Sequence, residues 1–145
     1  MKTKLCWHFL PNDGVVPRLN VKATKGLKLH HEGKVELCAS GLHASVKLMD
    51  ALGFAPGSIL ERVRVSGTIL TDTDKLVASD RETLWIGNVE KELRLFACDE
   101  AEAALKAERK AGREPHQDSW NAVKVTRDWV AGKASNAASH NPLAR

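Results

Sequence analysis

The apolar positions of this chain change their spacing near residue 88. Before it they alternate or come in short runs; after it they recur every three to four residues. Lys4–Leu10 (KLCWHFL) reads as a strand, followed by a turn at Pro11-Asn12-Asp13-Gly14, where Pro fixes φ and Asp-Gly supplies a positive φ. Residues 21–38 read as short strands broken at Gly26 and at His31-Glu32-Gly33. Residues 39–45 form a tight, glycine-containing corner. Ser45 is placed to cap a helix over 46–52 that buries Leu48, Ala51 and Leu52, with Gly53 as its stop and Pro56 blocking continuation. Residues 59–70 (ILERVRVSGTIL) show the clearest strand pattern. Val63, Val65 and Ile69 share one face with Gly67, and Arg62, Arg64, Ser66 and Thr68 share the other. A further strand falls within 76–86.

Beyond Asn88, Val89, Leu93, Phe96, Ala97, Ala101, Ala104 and Leu105 fall on one helical stripe. This predicts a helix over about 89–111, with Asn88 as cap, Glu90 and Glu92 at the positive end of its dipole, and Gly112 as stop. A second helix is predicted over about 119–131, with Trp120, Val123, Arg127 and Val130 on one side. Strands followed by helices indicate an α+β fold: a small mixed or antiparallel sheet in the first two-thirds, packed by two or three helices. Residues 1–132 read as one domain. Residues 133–145 offer little to bury and read as a flexible tail. Val63, Val65, Leu93 and Phe96 are the expected core.

The 145 residues are 43% hydrophobic and 28% charged, an ordinary globular balance. No apolar run reaches the roughly 18 residues of a membrane span. The N-terminus lacks the apolar stretch of a secretory signal. Three widely spaced cysteines argue against a disulfide framework and for a reducing cytoplasm. A net charge of +4 permits nucleic-acid contact without demanding it, and the absence of Tyr removes an obvious base-stacking platform.

Standard phosphate-loop, dinucleotide, zinc-protease and serine-hydrolase motifs are missing. Cys6, His8, Cys38 and His43 could in principle surround zinc, but their spacing is poor, Cys38 reads as a buried small hydrophobe, and no metal is assigned. His43 stands at the corner. It either fixes the corner by bonding a backbone carbonyl or presents a ring at a helix N-terminus that favours anions. His8 shares a strand face with Cys6, opposite Trp7 and Phe9. Arg62 and Arg64, with Lys75 or Arg81, are candidates for an anion cradle. The charges at Asp74-Lys75 and Asp80-Arg81-Glu82 read as solvated loops, and His30-His31-Glu32 as surface. If a site exists, it is expected at Gly41, His43 and Ser45, with His8 across the cleft and Arg81 as anion partner.

The segments Trp7-His8-Phe9, Leu37-Cys38, Gly41-Leu42-His43-Ala44-Ser45, Asp50-Ala51-Leu52, Ala55-Pro56-Gly57 and Asp74-Lys75-Leu76-Val77-Ala78 with Arg81 resemble a family of small phage, prophage and bacterial proteins of unassigned function. The likeness spans about residues 5–97. It implies a phage accessory protein in the host cytoplasm that binds a host defence or regulatory protein. A second similarity, to the ADP-ribosyltransferase fold, follows the order His8, Gly41–Ser45, helix, apolar strand and Glu82. It implies NAD as cofactor and His8, His43 and Glu82 as catalytic residues. His43 stands where that fold carries a tyrosine. A weak nucleic-acid association, resting on the charge balance, is the third class.

Overall fold

A computed structural model describes residues 2–133. The fold is α+β, and the chain divides after Val89 into two compact units. The first holds β1 (Lys4–Leu10), β2 (Val15–Val16), β3 (Val21–Lys22), β4 (Lys28–His30), β5 (Leu42–Ala44), α1 (Leu48–Leu52), β6 (Ile59–Thr71) and β7 (Leu76–Asn88). The second holds α2 (Glu90–Lys110) and α3 (Gln117–Val130). The expected tail lies outside the described residues, apart from Lys133. Among the described residues no helix is long and apolar enough to cross a membrane.

The main sheet is antiparallel, in the order β1-β6-β7-β4, with β5 sharing the β4 edge of β7. β5 pairs with Leu76–Ala78, and β4 with Asp80–Glu82. Just past β5, Ser45 pairs with Trp7 of β1: each backbone N–H donates to the other's carbonyl, at 2.9 and 2.7 Å. The sheet therefore curls until its two sides meet. Register slips between Arg62 and Val63 and between Ser66 and Ile69 supply the local bending that such curling needs. Gly67 sits in the second slip at φ 77°, where a Cβ would fall 2.0 Å from Ser79 Oγ.

The alternation predicted for residues 59–70 holds at Val63 and Val65, both fully buried. They pack with Cys6, Ala44, Leu76 and Ala78. A second cluster gathers Leu10, Val16 and Ala23, with Ile59 and Ile86 against it. Along β1 the inward residues run Cys6, His8, Leu10, and along β6 they run Val63, Glu61, Ile59. A polar layer thus lies between two apolar ones on the same sheet face.

Several local expectations are corrected. The GLHAS segment forms an edge strand, and the helix after it has only five residues. Ser45 does not cap that helix. Its Oγ donates to the Asp74 carbonyl at 2.8 Å, and the N-cap Lys47 makes no side-chain capping bond. Gly53 sits at φ −61°, so its freedom at positive φ is unused. Cys38 is exposed rather than buried, at φ 64°. Asp80-Arg81-Glu82 belongs to β7 and is no loop.

In the helical unit the packed stripe of α2 is rotated from the one predicted. Cys98 is buried, its thiol 3.9 Å from the Val123 carbonyl of α3, whereas Phe96 is 41% exposed and Leu93 only half-buried. Arg94 lies over the Trp129 ring at 4.6 Å, and Arg127 bonds Asp99 and Glu102. The flexible stems of Arg94 and Arg127 can cover apolar surface while keeping charge at the edge. Arg94 therefore occupies a helix-facing position that a count of apolar residues misses. His116 caps α3 by accepting from the Asp118 N–H.

Candidate functional site

A pocket of about 810 Å³ opens on the first unit. His8, Gly41, His43, Ser45 and Arg81, the five residues expected at a site, all line it. Glu82 does not: it faces away and accepts from Arg64 at 3.0 Å. The arginine cradle does not assemble either. Arg62 lies over the Trp7 ring at 4.3 Å, and Arg64 is taken by Glu82.

The register of β7 accounts for the inversion of Arg81 and Glu82. Leu76 and Ala78 face inward before the slip near Ser79, and Arg81 and Thr83 face inward after it, opposite Val65 and Val63. Arg81 is 4% exposed and Thr83 3%. Glu61, only 1% exposed, shares their layer. Its Oε1 accepts from Thr83 Oγ1 at 2.7 Å, and its Oε2 accepts from His8 Nδ1 at 2.8 Å. Glu61 was missed as a candidate although its signal was present. It has the same strand parity as Val63 and Val65, which marks an acid on the core face.

These groups tune one another. Burial pushes the Glu61 carboxyl up, but the bond from His8 and the Arg81 charge outweigh it and leave Glu61 below the ordinary carboxylate range. Burial, then the Arg81 charge, push the His8 imidazole down against the pull of Glu61. The consistent state at neutral pH is a neutral His8, with Nδ1–H donating to an ionised Glu61. Arg81 loses hydration by burial and retains Glu61 as its nearby counter-charge. Among the described residues it makes one hydrogen bond, from Nη1 to the His43 carbonyl at 2.6 Å. A guanidinium carries five N–H donors, and this one borders the pocket.

His43 has a different part. Its Nε2 accepts from the Cys38 N–H at 3.0 Å, which ties the tight 36–41 loop to β5. The corner is thus fixed by a ring that accepts from the Cys38 N–H on one nitrogen, and a backbone hydrogen bond at Gly41 favours its protonated form, as the expected bond to a carbonyl would. Burial and the charges of Lys75, Arg81 and Arg18 keep this ring neutral. Three cations therefore converge around one imidazole. The positive charge expected here from a helix N-terminus comes from side chains instead, since α1 has only five residues and carries little dipole. Gly41, at φ 119°, lets the loop press on β7: a Cβ there would meet Val77 Cγ2 at 2.5 Å.

Apolar walls complete the pocket. Pro17, Leu19, Ala51 and Phe54 contribute to them, with Lys75 over the Phe54 ring at 5.1 Å. Among the described residues no group of three or more His, Cys, Asp or Glu side chains is placed to hold a metal ion. Comparisons with protein-family models, with curated proteins and with solved structures find no match for this chain.

Proposed function

We propose that the pocket binds a small anionic ligand, with Arg81 as its principal anchor. The observation that carries this reading is a buried guanidinium at the pocket wall with one protein hydrogen bond and a carboxylate behind it. A buried ion is costly to maintain unless its hydrogen-bonding capacity is met. An anion entering the pocket would meet it, and Lys75 and Arg18 add attraction at the mouth. Apolar walls with a few convergent polar groups suit a small molecule. With Glu82 turned outward, the acid implied by the transferase likeness is not in this pocket, so the reading rests on binding chemistry alone.

Titration calorimetry with orthophosphate tests it. The intact chain should give a saturable isotherm whose affinity falls as salt rises. Arg81→Lys keeps the charge but removes the two-pronged donor geometry, and it should weaken phosphate at least tenfold. Lys75→Ala should weaken it less. An absence of saturable binding, or an Arg81→Lys variant that binds as the parent does, would overturn the reading. It would leave capture of a host protein as the function to pursue.

A further inference from the structure

Resting on the anion-site reading, we propose that the pocket hydrolyses a phosphodiester, with His8 as general base and Glu61 as the residue that positions it. The His8 ring borders the pocket, and its Nδ1–H is committed to Glu61 Oε2 at 2.8 Å. Its other nitrogen, Nε2, is therefore the one available to a bound molecule. Thr83 fixes the second oxygen of Glu61 at 2.7 Å, so both the tautomer and the orientation of the imidazole are set from below. His43 cannot share this task, because its Nε2 already accepts from Cys38.

The charged and titratable groups facing His8 are Glu61 from β6, Arg81 from β7 and His43 from β5. Burial and Arg81 hold the ring unprotonated at neutral pH, as a base requires. The ionised Glu61 stabilises the imidazolium that forms when the ring takes up a proton. The layer is thus arranged for proton transfer, which is more than anion binding alone would use.

A diester is favoured because its negative charge sits on the reacting centre itself. The guanidinium that binds that charge then also faces the charge that grows on the phosphoryl oxygens during attack. A carboxylic ester is uncharged at its carbonyl and would give a buried guanidinium less to do before reaction. In the step, His8 Nε2 takes a proton from water as the water oxygen bonds to phosphorus. The bond from phosphorus to the leaving oxygen breaks, and its electron pair departs with that oxygen. The imidazolium returns its proton, through solvent, to the departing alkoxide. The products are one phosphomonoester and one alcohol.

The test follows p-nitrophenolate release from bis(p-nitrophenyl) phosphate by the intact chain, beside orthophosphate binding by calorimetry. General-base assistance is worth about 10²–10⁴-fold. His8→Gln should therefore lower kcat/KM at least about 100-fold while phosphate still binds saturably. Added imidazole should restore turnover to His8→Gly, which a structural role would not allow. The parent's rate should rise with pH through a limb below the ordinary histidine value, and Glu61→Gln should move that limb. Phosphate binding without turnover, equal turnover in His8→Gln, or no imidazole rescue would each overturn the hydrolytic proposal while leaving the anion site standing. Failure of phosphate to bind would remove both.

Discussion

His8 Nδ1 lies 2.8 Å from Oε2 of Glu61, a carboxylate only 1% exposed, and this bond crosses directly between paired strands. Glu61 in turn is the counter-charge of Arg81, so three strands meet in one polar layer. Removing the carboxylate should be far costlier than removing an ordinary salt bridge, because it leaves the Arg81 charge buried and uncompensated. Glu61→Ala is expected to destabilise the fold by about 3–5 kcal/mol in urea denaturation; a loss under about 1 kcal/mol would place Glu61 in water. The same layer predicts acid lability. The folded His8 binds a proton less readily than its ordinary 6.5, so its stability contribution is full above that value and declines as pH falls below it. Glu61 is depressed below its ordinary 4.5, so its contribution is present above that value and is lost as pH falls through the folded value. The urea midpoint should drop between pH 7 and pH 5 through His8 and again below 4.5 through Glu61, and His8→Gln should remove the first of these drops.

Core truncations should separate the sheet from the exposed side of α2. Leu76 is fully buried, and Leu76→Ala should cost about 2–5 kcal/mol. Phe96 is 41% exposed, so Phe96→Ala should cost less than about 1 kcal/mol. Thermal or urea unfolding of the two variants provides the comparison. A large loss at Phe96 would show its ring covered in solution.

Gly41→Ala should damage both folding and the pocket. The position needs φ 119°, and the new methyl would meet Val77 and Val35 at 2.5 and 3.0 Å. Backbone strain of this kind costs on the order of 1–3 kcal/mol. The expected outcome is a lowered melting temperature together with weakened phosphate binding. A variant as stable as the parent would mean that the 36–41 loop does not press on β7.

Thiol accessibility gives an independent check of the corner. Cys38 is exposed, whereas Cys6 and Cys98 are buried. A disulfide reagent should modify one thiol rapidly in the native protein and all three after denaturation. Cys38→Ser should abolish the rapid phase. Rapid labelling that survives this substitution would place a second thiol at the surface.

The alternation of Val63 and Val65 with Arg62, Arg64 and Ser66 determined by itself which face of mid-β6 enters the core, because side chains on a pleated strand alternate with period two. That rule covers Glu61 along with Val63 and Val65. The change of period near Asn88 likewise announced the two helices. The Gly41–Ser45 segment could not be read this way. Five residues hold too little pattern to separate a capped corner from an edge strand, and its conformation is set by hydrogen bonds to Leu76–Ala78 and Trp7, thirty or so residues away in sequence. Arg81 and Glu82 show the same limit more sharply. They are neighbours in a charged triplet, and local sequence marks neither as buried. Only the register slip near Gly67 and Ser79 turns Arg81 inward beside Glu61 and sends Glu82 out to Arg64. One extra residue in a ladder exchanges the two faces of a strand, so the identity of the pocket cation was decided by pairing between strands and not by the residues around it.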